Sequence, residues 1–82
     1  MALIKSLTPF HKESCSPHGV VDCTFTVFTD DAGIKYLQLD TYGSPMRQIP
    51  GKVSQSLQFS RESLHQLRDL IDHEFPSGGK SE

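Results

Sequence analysis

One helical pattern, near the C-terminal end of the chain, most constrains what this sequence can fold into. Apolar residues recur every three or four positions between Leu64 and Ile71, which is the spacing of a helix with one buried stripe. Ser60 is a suitable N-cap, and Pro76 marks the end of the pattern. The sequence therefore predicts a helix from about Arg61 to Phe75 that must pack against something else.

The segments before the helix have the composition of strands. Residues 20–29 and 34–42 are rich in β-branched and aromatic side chains, and residues 53–59 alternate between apolar and polar. Asp and Gly at 30–33 predict a hairpin turn between the first two. Residues 2–4 suggest one more short strand. We therefore expect an α+β fold, an antiparallel sheet of about four strands with one C-terminal helix packed on one face.

The size and charge of the chain narrow the function classes. Its 82 residues leave room for a single domain, residues 1–82, with an N-terminal strand and loop (1–19), a sheet-plus-helix unit (20–75) and a flexible tail (76–82). The net charge of −2 argues against a strongly basic nucleic-acid clamp. No apolar stretch is typical of a signal peptide or a membrane span, so we expect an intracellular, cytoplasmic protein.

Strand alternation assigns the side chains to two faces of the predicted sheet. Leu37 and Leu39 share one face, and the same alternation places Val53, Leu57 and Phe59 together. Because one helix can cover only one face, we expect it to cover these apolar residues. Asp40 falls on the opposite side. That open face then carries mostly hydroxyl, amide and aromatic groups: Thr24, Thr26, Phe28, Tyr36, Gln38, Tyr42, Ser54, Ser56 and Gln58.

Such a face suits a platform that stacks and hydrogen-bonds single-stranded nucleic acid. Arg47 and Lys52 lie in the most positive stretch of the chain, with no acidic residue between Gly43 and Gln58. They are the candidate phosphate contacts. A solvated sheet face has a similar composition in many proteins, so this pattern alone leaves both interpretations open.

Several short motifs resemble the positive-cofactor-four family of transcriptional coactivator-type, single-stranded DNA-binding domains. They are Leu39-Asp40-Thr41-Tyr42, Pro50-Gly51-Lys52, Ser56-Leu57 and the following helix with Leu64, Leu67 and Ile71. The similarity covers about residues 20–75. It implies a four-stranded antiparallel sheet with one helix, paired into a homodimer that binds single-stranded DNA across its sheets. Tyr42 and the Pro50-Gly51-Lys52 motif are the positions carried over from the family.

The leading hypothesis is a non-enzymatic nucleic-acid-binding module that prefers single-stranded DNA and acts in DNA transactions or transcription. Aromatic residues would stack, basic residues would contact phosphates, and polar residues would bond sugars or bases. The expected binding residues are Phe28, Lys35, Tyr36, Gln38, Tyr42, Arg47, Lys52, Ser54, Ser56 and Gln58.

The alternative hypothesis is a protein-interaction module, an accessory subunit that docks through its open sheet face or a sheet edge. Family members carry several Lys and Arg on their strands, whereas this chain has few. Val53 and Ser54 also stand where the family has a basic residue and a glycine. The sequence pI of about 6.0 favours this alternative.

Other chemistry has weaker support in the sequence. His11, Cys15, His18 and Cys23 are ligand types for zinc, but their spacing matches no known zinc-finger pattern. No nucleophile elbow or phosphate-binding loop is present. Four polar residues share part of the predicted helix surface, as is typical of a solvated helix face. They are His65, Asp69, Asp72 and His73. We therefore expect no catalytic residue, metal or cofactor, and free rather than disulfide-bonded cysteines.

Overall fold

A computed structural model describes residues 1–43 and 52–78 of the chain. Its elements, in chain order, are β1 (Ala2–Ile4), β2 (Cys23–Thr29), β3 (Lys35–Tyr42), β4 (Val53–Phe59) and α1 (Arg61–Glu74). The four strands form one sheet in the order β1-β4-β3-β2. The predicted α+β class, a four-stranded sheet followed by one C-terminal helix, is confirmed.

The strand directions differ from the prediction in one detail. β3 is antiparallel to both β2 and β4, but β1 runs parallel to β4. The sheet is therefore mixed rather than antiparallel throughout. Parallel neighbours need a long connection, and the chain between β1 and β4 contains both β2 and β3. Side-chain alternation is the same in both directions, so it could not reveal this.

The turn between β2 and β3 follows from Asp30 and Gly33. The Gly33 N–H donates to the Asp30 carbonyl over 3.0 Å, and Gly33 has a φ of +83°, which glycine adopts without steric cost. The Asp30 Oδ1 atom accepts from the backbone N–H groups of Ala32 at 2.9 Å and Ile34 at 3.0 Å. This is a type I turn followed by a left-handed residue, which sets the register of the hairpin.

A β-bulge interrupts the pairing of β3 with β4. Thr41 pairs with Gln55 and Tyr42 pairs with Val53, so Ser54 is the extra residue. Simple alternation places Val53 on the same face as Leu57, whereas the observed register sets it opposite Tyr42. The alternation of β4 therefore holds only from Gln55 onward.

The start of α1 is fixed by a reciprocal pair of serines. The Ser60 Oγ atom accepts from the Ser63 N–H over 3.2 Å, and the Ser63 Oγ atom accepts from the Ser60 N–H over 3.0 Å. Ser63 is fully buried in this capping box. The helix ends at Glu74, and Phe75 is its C-cap residue. The predicted N-cap and the approximate C-terminal end are both confirmed.

Strand pairing places six large apolar residues on one side of the sheet, here named the apolar face: Phe25, Val27, Leu37, Leu39, Leu57 and Phe59. Phe59 is 7% exposed and is the one buried apolar residue among the described residues. Phe25 remains 72% exposed on the same face. α1 therefore covers the Phe59 end of the apolar face and leaves the Phe25 end open.

The N-terminal segment is attached to the domain at two points. β1 places Ile4 beside Phe59 at the edge of the sheet. Farther on, the Leu7 N–H donates to the Gln66 Oε1 atom of α1 over 2.8 Å. Residues 8–22 are exposed and contain no helix or strand. In the part of the chain that the structure describes, no helix is long and apolar enough to cross a membrane.

Candidate nucleic-acid interface

The opposite side of the sheet, here named the polar face, brings most of the predicted binding residues together. Direct cross-strand partners share a face of the sheet. The register pairs Phe28 with Tyr36 and Gln38 with Gln58. The polar face comprises Thr24, Thr26, Phe28, Tyr36, Gln38, Asp40, Tyr42, Val53, Ser56 and Gln58.

A hydrogen-bond network crosses the middle of the polar face. The Gln58 Nε2 atom donates to the Gln38 Oε1 atom over 2.8 Å. The Gln38 Nε2 atom donates in turn to both carboxylate oxygens of Asp40, over 3.0 and 3.2 Å. The Ser56 hydroxyl also donates to the Asp40 Oδ1 atom. These bonds fix the amide orientations, so the face presents its polar groups in a defined arrangement.

Asp40 is the residue at the centre of this network, and the predicted binding set omitted it. Its position was visible in the sequence, because alternation places it between Gln38 and Tyr42. Its role could not be predicted, because the pairing of Asp40 with Ser56 depends on the register of β3 and β4. Ser56 is only 7% exposed, although it lies on the polar face. The carboxylate and this hydroxyl therefore stabilise the sheet from a partly desolvated position.

Aromatic rings lie at both ends of the network. The Phe28 and Tyr36 rings are 5.4 Å apart between centroids and tilted by 31°, a distance typical of favourable aromatic pairs. At the other end, the Tyr42 hydroxyl is 2.9 Å from the Thr24 Oγ1 atom. Tyr42 is half-buried. Both ends thus hold a ring in place beside the ordered amides.

The Tyr36 hydroxyl is also influenced by the hairpin turn. Burial of the ring, followed by the charge of the Asp30 carboxylate and a hydrogen bond to it, raises the pKa of Tyr36 above its ordinary value. All three causes favour the protonated phenol. Tyr36 therefore keeps its proton and stays uncharged over the physiological pH range.

Two of the predicted basic residues, Lys35 and Lys52, lie in the described part of the chain. Lys35 alternates with Tyr36 and lies on the side of Leu37, where it lines a groove with Val27 and Leu64 of α1. It thus lies on the other side of the sheet from the Gln38–Asp40 network, although Tyr36 also lines this groove. Lys52 is exposed immediately before β4.

The predicted loop residues are only partly described. Arg47, Pro50 and Gly51 lie outside the described residues, whereas Lys52 is described. Ser54, another predicted binding residue, is exposed at the β-bulge. Its side of the sheet cannot be taken from the alternation that places Ser56 and Gln58.

The metal-ligand types remain dispersed. Among residues 1–43 and 52–78, no group of three or more His, Cys, Asp or Glu side chains could hold a metal ion. Cys15 and Cys23 are both free and exposed. On α1, the Arg68 Nε atom lies 3.8 Å from the Asp69 Oδ1 atom, and both side chains are solvated.

Comparisons of the chain with protein-family models, with curated proteins and with solved structures found no match. The resemblance to the positive-cofactor-four family therefore depends on the short motifs alone.

Proposed function

We propose that this chain is a non-enzymatic module that binds single-stranded nucleic acid, with a preference for single-stranded DNA, through its polar face. The observation that carries the proposal is the ordered row from Gln58 through Gln38 to Asp40, with an aromatic ring held at either end. Bases can stack on the rings, and the amides can bond base edges or sugars.

The charge on Asp40 is compatible with this role because both of its carboxylate oxygens already accept hydrogen bonds. The carboxylate accepts from Gln38 and Ser56, and these donors offset part of its negative charge. A nucleic-acid backbone would therefore meet a row of neutral amides beside a hydrogen-bonded carboxylate. Stacking and neutral hydrogen bonds would contribute most of the affinity.

Phosphate contacts would come from the loop before β4. Arg47 and Lys52 flank the Pro50-Gly51 motif in sequence, and Lys52 is exposed. Two phosphate contacts on single-stranded DNA predict a salt slope, log K against log salt, of only about −1.4 per chain. A shallow slope is consistent with the near-neutral composition of the protein.

The test compares two double variants by fluorescence anisotropy with labelled single-stranded DNA across a range of salt. Arg47→Ala with Lys52→Ala should weaken binding and bring the salt slope close to zero. Lys5→Ala with Lys12→Ala removes the same charge from the N-terminal segment and should leave the slope unchanged. An unaltered slope in the loop variant, or equal effects of both, would exclude the loop as the phosphate contact.

The cellular setting is proposed on the same basis. The resemblance to the coactivator family supports a homodimer that acts inside the cell in DNA transactions or transcription. In that setting the protein would contact single strands exposed during those processes.

A second candidate function is docking on a larger protein, and a different observation favours it. Phe25 on the apolar face and Phe75 at the end of α1 are 72% and 75% exposed. Exposed aromatic residues of this size are common anchors of protein interfaces. If a Phe25→Ser, Phe75→Ser double variant still binds DNA, these two aromatic residues are not needed for nucleic-acid binding, and docking would use a different surface from the polar face.

A further inference from the structure

The outer edge of β2 offers unpaired backbone groups along a full strand. Two bonds fix which groups these are: the Tyr42 N–H donates to the Asp22 carbonyl over 3.0 Å, and the Asp30 N–H donates to the Ile34 carbonyl over 2.9 Å. In an antiparallel ladder, alternate residues bond to the neighbour. Even-numbered residues of β2 therefore face β3. The outward-facing backbone groups belong to Cys23, Phe25, Val27 and Thr29.

The side chains of β2 do nothing to protect this edge. Between Cys23 and Thr29 the strand has no charged residue and no proline, and its register with β3 has no bulge. Charged residues, prolines and bulges are the features by which exposed edges usually avoid pairing with another strand. Phe25 and Val27, whose backbone groups point outward, also expose large parts of their side chains. No described residue pairs with this edge.

We propose that two copies of the chain associate by antiparallel pairing of β2 with β2, which joins two four-stranded sheets into one continuous sheet. Antiparallel strand pairing is self-complementary under a two-fold axis. The uncharged strand allows two identical copies to meet without repulsion along its length. A small domain with a thin core also gains buried apolar surface by such association.

Full overlap of the two strands defines the register. Thr26 of one copy then lies opposite Thr26 of the other, and Phe25 lies opposite Val27 in two symmetric pairs. Aromatic and β-branched residues are a favourable cross-strand pair. The polar faces of the two copies become one surface, and so do the apolar faces. This pairing uses an edge that the proposed nucleic-acid contacts leave free, so it does not depend on them.

The charges at the ends of the strand give the association a distinctive salt response. In this register Asp22 of each copy approaches Asp30 of the other. Added salt screens this repulsion, so dimerisation should strengthen with salt. Nucleic-acid binding should weaken with salt, and the two properties can therefore be measured separately on the same protein.

Disulfide cross-linking tests the register directly. In the full-overlap register the Thr26 pair is a non-hydrogen-bonded pair, with Cα atoms about 4.5 Å apart, within the range that a disulfide spans. The test chain carries Cys15→Ser, Cys23→Ser and Thr26→Cys, and copper phenanthroline is the oxidant. It should form a covalent dimer readily. The control chain carries only Cys23→Ser and keeps the exposed Cys15, which should cross-link far more slowly.

Sedimentation velocity on the full chain, from micromolar to submillimolar concentration, tests the backbone pairing. Val27→Pro removes an outward N–H without removing a bond to β3, and it should weaken dimerisation strongly. Val27→Ala removes side-chain bulk but keeps the N–H, and it should dimerise more tightly than the proline variant. Circular dichroism of each variant shows whether the sheet is retained.

Two results would overturn the proposal. One is a wild-type chain that stays monomeric throughout this concentration range. The other is a dimer in which Thr26→Cys cross-links no faster than the Cys15 control, since association would then use another surface. Either result would leave the proposed nucleic-acid contacts of the polar face standing, because those contacts are measured by DNA binding. A monomeric chain would also contradict the homodimer that the family resemblance supports.

Discussion

Asp40 is the residue on which the polar network depends. Its carboxylate accepts from the Gln38 amide and from the Ser56 hydroxyl, so it ties β3 to β4 through side chains as well as backbone. Hydrogen bonds to charged acceptors are stronger than neutral ones. The loss of one donor should therefore be measurable in the stability of the fold.

Ser56→Ala is expected to lower the free energy of unfolding by about 1–2 kcal/mol, because it leaves a partly buried carboxylate without one donor. Ser54→Ala is the matched control. Ser54 is exposed at the bulge and its loss should have little effect. Urea unfolding followed by circular dichroism measures both. Equal stability of the two variants would contradict the structural role of the Asp40–Ser56 bond.

Tyr36 should ionise at higher pH than a free tyrosine, because burial and Asp30 raise its pKa. The chain has two tyrosines, so the Tyr42→Phe variant leaves Tyr36 as the one phenol that absorbance at 295 nm follows. Adding Asp30→Asn should lower the Tyr36 pKa part of the way, since burial remains. A midpoint at the ordinary tyrosine value in the Tyr42→Phe variant would contradict the raised pKa of Tyr36.

The raised pKa of Tyr36 also predicts how the stability of the fold changes with pH. A raised pKa in the folded state favours the protonated phenol, so its stabilising contribution is complete below the unfolded tyrosine pKa of about 10. The contribution is lost as pH rises through the higher, folded value. Thermal unfolding should therefore show an alkaline loss of stability that is smaller when Tyr36→Phe replaces the phenol.

At the scale of elements, strand and helix identities were predictable because their patterns are local. β4 matched its predicted bounds at Val53–Phe59, and α1 matched its predicted start at Arg61. The predicted second strand began three residues early, at residue 20 rather than Cys23. Val20 and Val21 have strand propensity, but the backbone pairs with β3 only beyond them. Strand propensity depends on neighbouring residues in the sequence, whereas strand pairing depends on residues that are distant in the sequence.

The direction of β1 and the bulge at Ser54 were not predictable for a related reason. Both depend on which backbone groups meet across strands, and one sequence does not record that. The polar face was predictable because alternation needs only the strand bounds. The Gln58–Gln38–Asp40 network was not, since it depends on register.

The capping box at the start of α1 makes a prediction at this scale. Ser60→Ala removes the acceptor of the Ser63 N–H and should cost about 1 kcal/mol of stability. Ser60→Asp supplies another good N-cap acceptor beside the positive end of the helix dipole, and should restore it. Thermal unfolding of the two variants measures the difference. A destabilised Ser60→Asp chain with a stable Ser60→Ala chain would contradict the capping role.

The molecule as a whole is less compact than a domain of its length usually is. Its radius of gyration is 15.4 Å, whereas about 12 Å is typical of 82 residues in a compact domain. Phe59 is the one buried apolar residue among those the structure describes. The large exposed apolar surface agrees with a chain that is completed by association, as the proposed pairing of β2 edges would do.

The polar face also has a consequence at this scale. Its rings and amides span the sheet from the Phe28–Tyr36 pair to Tyr42, so a bound strand would lie across the whole face. Stacking on one aromatic ring contributes about 1–3 kcal/mol, so Tyr42→Ala should weaken single-strand binding by roughly 5- to 150-fold. Tyr42→Phe keeps the ring and loses the bond to Thr24, and should bind almost as tightly as the wild type.

The most direct test of the proposed function is fluorescence anisotropy with a labelled, mixed-sequence single-stranded DNA of about twenty nucleotides, a length that spans common single-strand sites. Titrations at low and moderate salt, with duplex DNA as competitor, measure affinity and strand preference together. The proposal predicts micromolar or tighter binding that weakens with salt, resists competition by duplex DNA and is weaker in Tyr42→Ala. Absence of binding at low salt, or equal competition by duplex, would contradict it.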